Sequence, residues 1–340
     1  MGGRRAGLVA KLGIGAALAL AAAAAGVAVL RTDVTGRRGS GLGRAFEYDL
    51  AEFRRVEPGL VGYTETARIA TGFSEARSVA VDAQDKILVA GDRAVRVFSP
   101  DGARLAEFPV EGEPRCLAAG AGGTLYVGMR DHVEVYALDG PRKAVWEPAG
   151  EKAHLTSLAL DESGTGALFA ADAGSRIVLV YELSGRLAGR IGAKDDSRGV
   201  PGLVVPSACL DIAISREGTL FVTNPGRHRI ETYTREGEIL AAWGEPGMDI
   251  KRFSGCCNPS HFALLPEGSF VTSEKGALRR IKVYRSDGSF ECVVAGPEDF
   301  GEGTAPMDVA ADSRGRVLVL DPDRREVRVF ERVTGKRSSP

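Results

Sequence analysis

From residue 66 onward, apolar and polar positions alternate with period two, in short runs that end at acidic or amide corners: ILVAGD at 87–92, LYVGMRD at 125–131, LFAAD at 168–172, LFVTN at 220–224, FVTSE at 270–274 and VLVLD at 317–321. Before each lies a stretch of small residues, such as Ser78 to Asp82 or Met307 to Asp312. After each comes an aromatic residue and a polar turn ending in Gly, at Phe98–Gly102, Tyr136–Gly140, Tyr181–Gly185, Tyr233–Gly237, Tyr284–Gly288 and Phe330–Gly335. The turn glycines are spaced by 38, 45, 52, 51 and 47 residues. Such alternation marks antiparallel meanders, and a four-strand unit repeating about every 40 to 50 residues is a propeller blade. The pattern therefore predicts an all-β chain, a six-bladed β-propeller over residues 64–335.

The sixth unit lacks a fourth strand, since only residues 336–340 follow Gly335 as a tail. An orphan strand, Thr66 to Thr71, precedes the first unit. The expectation is that this N-terminal strand completes the sixth blade and closes the ring, leaving no open sheet edge. Upstream, residues 46–63 read as a lead-in, with apolar Phe46, Leu50, Phe53 and Val56 near helical spacing and a stop at Glu57-Pro58-Gly59. That predicts a short amphipathic helix over 46–56.

The alternation is absent from the first 45 residues. Arg4, Arg5 and Lys11 precede an uncharged run of 19 residues, Leu12 to Leu30. The run approaches the roughly 20 residues a membrane-crossing helix needs and exceeds the roughly 7–15 of a signal-peptide core. Residues 1–30 are thus expected to be a single-pass N-terminal anchor, with the short basic terminus inside and the propeller outside. Cleavage near Gly26-Val27-Ala28, giving a secreted or periplasmic protein, is the alternative. Arg4-Arg5 is followed by Ala6-Gly7-Leu8, a weak match to a twin-arginine signal. Residues 31–45, rich in Gly and Arg, read as a flexible tether.

Composition narrows the function classes. Lys and Arg total 44 against 45 Asp and Glu, so no bulk charge draws the molecule to nucleic acid, and no nucleic-acid partner is expected. Five cysteines, Cys116, Cys209, Cys256, Cys257 and Cys292, show no paired metal-binding spacing and form no disulfide-dense scaffold. A structural zinc site is not expected.

The repeating unit resembles the NHL repeat, whose small first strand, Gly, apolar strand, Asp or Asn corner, Arg-Ile and aromatic are matched best by Gly218 to Asn224, Gly226 to Ile230 and Tyr233. The resemblance covers residues 66–335 and implies the propeller fold; members serve as scaffolds, enzymes, RNA binders and sensors, so it implies no single activity. The segment CCNPSHFALLPEGSFVTSEKG, from Cys256 to Gly276, is also similar to one in uncharacterised bacterial membrane-anchored NHL proteins. That likeness implies a location at the bacterial cytoplasmic membrane and no assigned activity.

In a propeller the first strand of each blade lines the central channel. Aligning the repeats places Ser78, Cys116, Ser157, Asp211, His261 and Asp308 at one inner position. The loops entering these strands share a face with the corners Asp92, Asp131, Asp172, Asn224, Glu274 and Asp321, which are expected to satisfy backbone N–H groups of the turns. Cys256 and Cys257 fall in the loop just before His261. Adjacent cysteines either close a strained vicinal disulfide, present a thiolate for redox or metal chemistry, or fill space as buried thiols. Asn258-Pro259 is expected to hold the pair in an extended turn.

Ligand-binding candidates on this face are Cys256, Cys257, Asn258, His261, Glu274, Lys275, Asp211, Asp308, Arg77 and Arg115. Asp211, His261 and Asp308 are the candidates for a divalent metal, the one cofactor considered. His261 has no histidine at equivalent positions, so the three-histidine site of peptide-amidating lyases with this fold cannot be drawn. The leading expectation is an extracytoplasmic, membrane-anchored module binding a protein or small ligand. The alternative is a metal-assisted lyase, lactonase or redox enzyme with its site in the channel.

Overall fold

Alternating runs bounded by turn residues pair locally into antiparallel sheets, and the computed structural model describes the result for residues 50–333 except 164, 165, 302 and 304. The repeats form six four-stranded blades. Blade one contains β2 (Ala76–Val81), β3 (Ile87–Gly91), β4 (Ala94–Phe98) and β5 (Arg104–Pro109). Blade two contains β6 (Cys116–Ala119) to β9 (Arg142–Val145), and blade three β10 (Leu155–Asp161) to β13 (Leu187–Ile191). Blade four runs from β14 (Ile212–Ile214) to β17 (Ile239–Trp243). Blade five comprises β18 (His261–Leu264), β19 (Phe270–Glu274), β20 (Arg280–Tyr284) and β21 (Phe290–Ala295). Blade six combines β22 (Val309–Ala311), β23 (Val317–Asp321) and β24 (Glu326–Arg332) with β1 (Tyr63–Ala70), in the order β1-β24-β23-β22. Tyr63 lies opposite Arg332 and Ala70 opposite Glu326.

Burial explains why the runs read as they do. The second and third strands are covered by neighbouring blades on both faces, so β3, β19, β20 and β23 are buried throughout. Fourth strands lie on the rim, and β9 is exposed at every residue. The core is a set of inter-blade layers: Val271, Ile281 and Val283 of blade five pack with Val309, Val317 and Val319 of blade six. The recurring turn glycine is required by the backbone, with φ of 90° at Gly102, 92° at Gly185 and 85° at Gly237.

Five of the six corner residues accept backbone N–H bonds. Asp92 takes Ser74 and Glu75, Asn224 takes Val204, and Glu274 takes Ser254, each in the loop leading into its own blade. Asp172 takes His154, Gly174 and Ser175, and Asp321 takes Asp323 and Arg324 within its own turn. Asp131 differs, since its carboxylate faces the His132 ring at 2.7 Å.

The helix expected over 46–56 is shorter in its described part, a single turn α1 (Ala51–Arg54) followed by a 3-10 turn at Pro58–Leu60. The chain turns extended at Arg55, ahead of Pro58, which disfavours a helical Glu57, and the Phe53 carbonyl accepts Arg280 Nη2 at 2.9 Å. The anchor and tether expectations fall on residues 1–49, outside the described residues. Among the described residues no helix is long and apolar enough to cross a membrane.

Asp172→Ala orphans three N–H groups around a carboxylate that is 1% exposed and is expected to cost about 2–4 kcal/mol, whereas the exposed Asp92→Ala costs about 1 kcal/mol. Urea denaturation midpoints measure the difference; equal losses would contradict a role set by burial.

Candidate functional site at the channel mouth

First strands start near the axis, so the residue at each start faces its counterparts from other blades. Ser78, Cys116, Ser157, Asp211 and Asp308 line a channel cavity of about 270 Å³, whose walls continue through Ala80, Leu160, Ile214, Leu264 and Ala311. His261 joins Asp211 and Asp308 at its edge, with Nδ1 3.5 Å from an oxygen of each carboxylate. The ring also ties blades together. Asp308 accepts Val79 N–H at 2.8 Å, Asp211 accepts Phe262 N–H at 2.7 Å, and Ser157 Oγ accepts Ile212 N–H at 3.3 Å. The other oxygen of each aspartate accepts the amide of the next residue in its own chain, at 2.9 Å in both cases.

The charges of this ring follow from that geometry. Burial alone would push the His261 imidazole down, but its contact with Asp211 and the charges of Asp308 and Asp211 prevail and raise it to about 9. Burial raises the Asp308 carboxyl, opposed by His261 and reinforced by Asp211. Cys116 is held as an unreactive thiol well above its ordinary range by burial, then by the two carboxylates. One atom each from Asp211, His261 and Asp308 lie within 4.8 Å of one another, a donor set of oxygen and imidazole that fits a divalent cation once His261 has lost its proton.

The loop bearing the cysteines, residues 244–260, is held from beneath by alternate side chains of β20. Arg280 donates to the carbonyls of Met248 at 2.9 Å and Asp249 at 3.2 Å, Lys282 to Ile250 at 3.2 Å and Arg252 at 2.7 Å, and Tyr284 to Lys251 at 3.1 Å. Lys282 Nζ also lies 2.6 Å from Glu274 Oε1, with both side chains fully buried. Glu274 Oε2 accepts both Ser254 N–H at 2.6 Å and its hydroxyl at 2.7 Å, so this candidate carboxylate faces the protein interior. Asn258 is likewise internal: its amide donates to the carbonyls of Ser254 and Lys275 and accepts Lys275 N–H. The Asn258–Pro259 peptide is cis.

Cys256 is exposed and Cys257 buried, with their sulfurs 3.2 Å apart. Lys275 Nζ donates to Ser207 Oγ at 2.7 Å, beside Cys257. Burial would raise the Cys257 thiol, yet Ser207, Cys256 and Lys275 together hold it below its ordinary range, while the proton is retained on Cys256 by contact with Cys257. Arg77, in the first strand of blade one, pairs with the exposed carboxylates of Glu75 and Glu113 at the channel mouth, and Arg115 Nη1 lies 3.3 Å from His154 Nε2. The candidates thus divide into the axial trio, the thiol pair with Lys275, the internal staples Glu274 and Asn258, and two arginines at the channel mouth. Sequence reading missed Ser207, Lys282 and Arg280: Ser207 arrives from the distant 192–211 connection, and the other two sit at positions that period two assigns to an ordinary strand.

A six-bladed β-propeller is the class this fold defines, and the comparisons agree. No family model matches the chain. A streptogramin B lyase structure superposes with a TM-score of 0.52 at 14% identity, covering 76% of this chain and 79% of that one. The WD40 propeller domain of Doa1 superposes with a TM-score of 0.54 at 16% identity, covering 80% and 98% respectively. In sequence, the chain is 25% identical over 123 residues to Drosophila melanogaster Protein brain tumor, covering 35% of this chain and 11% of that protein. The two structural likenesses show the propeller and leave its activity to the site.

Two outcomes test the site's architecture. Lys282→Met strands Glu274 as a buried unpaired charge and is expected to cost about 3–5 kcal/mol, with part recovered by adding Glu274→Leu; chemical denaturation of both variants measures it. The raised His261 contributes stability on the order of 3 kcal/mol that is full below about pH 6.5 and lost as pH rises through 9. Unfolding midpoints between those pH values should fall, and His261→Gln should flatten the dependence.

Proposed function

We propose that the chain is a membrane-anchored, extracytoplasmic binding module of NHL type, taking a protein or small ligand on the face that carries Arg77, Arg115, Lys275 and Cys256. The observation behind this reading is the state of the axial ring. Asp211 and Asp308 each engage both oxygens with backbone N–H groups and hold His261 between them, so the polar groups on the axis act as inter-blade ties. A ring so occupied supplies no free general base, while Arg77, Arg115, Lys275 and the Cys256 thiol lie around the channel mouth. The anchoring part of this reading is supported by the uncharged run from Leu12 to Leu30 behind Arg4, Arg5 and Lys11, and in it the protein sits at a bacterial cytoplasmic membrane.

A photo-crosslinking residue at position 115 of the full chain should capture a discrete partner from expressing cells, and the same residue at position 217, on the opposite mouth, should not. Equal capture at both positions, or at neither, would reject the assigned face. Carbonate washing should leave the full chain in membranes and release a chain lacking residues 12–30; release of both would reject the anchor.

The clustering of Asp211, His261 and Asp308 favours one second reading, a metal-assisted enzyme. There the three side chains would hold a divalent cation that supplies Lewis-acid chemistry when bound. Stoichiometric metal in purified protein, lost on Asp308→Ala, would place the enzyme reading first.

A further inference from the structure

The thiol pair has a feature that a space-filling role does not require, an opposite environment for each sulfur. Cys256 faces solvent, whereas Cys257 is 7% exposed and packed beside the Lys275 ammonium and the Ser207 hydroxyl. The sulfurs are already in contact at 3.2 Å. The backbone on either side is fixed, through Ser254 to Glu274 and through Asn258 to Lys275, so neither cysteine is free to swing away. Cys116, Cys209 and Cys292 are each buried, and Cys256 is the exposed thiol among the described residues.

We propose that Cys256 and Cys257 are a redox-active vicinal dithiol that exchanges with small-molecule disulfides, Cys256 entering the reaction and Cys257 resolving it. The Cys257 thiolate takes up the Cys256 proton, and the Cys256 thiolate so formed attacks one sulfur of the disulfide; a bond forms between them, the S–S bond of the oxidant breaks and one thiolate leaves. The Cys257 sulfur then attacks Cys256, closing the vicinal bond and expelling the second half of the oxidant, which takes up the proton. In balance, one dithiol and one disulfide give a vicinal disulfide and two small thiols, with two electrons passing from protein to oxidant. Lys275 is a positioning residue whose charge favours the singly protonated pair. This activity uses Cys256 and Lys275 of the proposed binding face but requires no bound partner, so exchange with glutathione disulfide tests it whether or not a partner binds there.

The test uses full-length reduced protein and glutathione disulfide, followed by alkylation and intact and peptide mass spectrometry. The wild type should lose two hydrogens, retain no glutathione and show a Cys256–Cys257 bridge. Cys257→Ser should retain one glutathione on Cys256, trapping the first step, and Cys256→Ser should remain unmodified because its remaining sulfur is buried. Lys275→Met should slow alkylation of Cys256 roughly tenfold at neutral pH, and Lys275→Arg should restore most of the rate. A wild type that retains glutathione on Cys256 without bridging overturns the proposal, as does one left unoxidised while its thiols alkylate freely. Equal alkylation rates for Lys275→Met and Lys275→Arg would remove Lys275 from it.

Discussion

The buried pair between Lys282 and Glu274 is the interaction on which the organisation of the candidate face depends. Two charges taken fully out of water are tolerable only when each meets the other and their remaining hydrogen-bonding capacity is filled. Lys282 fills its capacity with the carbonyls of Ile250 and Arg252, and Glu274 with the amide and hydroxyl of Ser254. The pair therefore ties two strands of blade five to both ends of the 250–254 segment. Arg280 and Tyr284, on the same face of β20, extend that hold to Met248, Asp249 and Lys251. The Phe253 ring lies 4.8 Å from the Lys282 ammonium, so the aromatic layer and the ion pair support one another. A loop fixed in this way can present two adjacent thiols and deliver His261 to the axis in one defined position.

On the axis a different economy operates. A first strand offers few side chains to the channel, and neighbouring blades meet there without the inter-strand ladder that joins strands within a blade. Asp308, Asp211 and Ser157 supply the missing bonds by accepting amides from the next blade. Two carboxylates so close would repel, and the raised His261 lies between them as the compensating cation. Conversion of the trio to a metal site would exchange one proton for one divalent ion, which couples any metal affinity to pH.

The six blades are legible in the sequence because the unit repeats its aromatic, its turn glycine and its corner at every pass. Each feature has a local cause: positive φ at Gly102 or Gly237, and loop amides bonded to Asp92 or Asn224. The inner ring is legible for the same reason, since equivalent positions in a repeat face the same axis. Lys282 is not legible. In RIKVY the lysine takes a position that a half-exposed strand would give to solvent, yet in this ring the equivalent position is interior in other blades too, at Glu134, Glu231 and Arg328, and the 244–260 connection supplies the carbonyls that Lys282 meets. Glu274 likewise reads as one corner among six, although its partner Lys282 follows by only eight residues. Periodicity reports which residues share a face of a strand and carries no information about what later covers that face.

The connections entering the blades are unequal, and that inequality argues for where function sits. Those before blades one and two are short, at 71–75 and 110–115, whereas those before blades four and five span 192–211 and 244–260. A ring needs only the short form to close each blade, so the added chain is free to carry function on a rigid scaffold. The two long connections meet at Ser207, Lys275 and Cys257, with residues from three separate stretches around one sulfur. Closing a contact between two long segments costs chain entropy that a plain scaffold has no reason to spend. Held beside a cation, with a second thiol exposed next to it, that sulfur is the point at which the asymmetry of the ring converges.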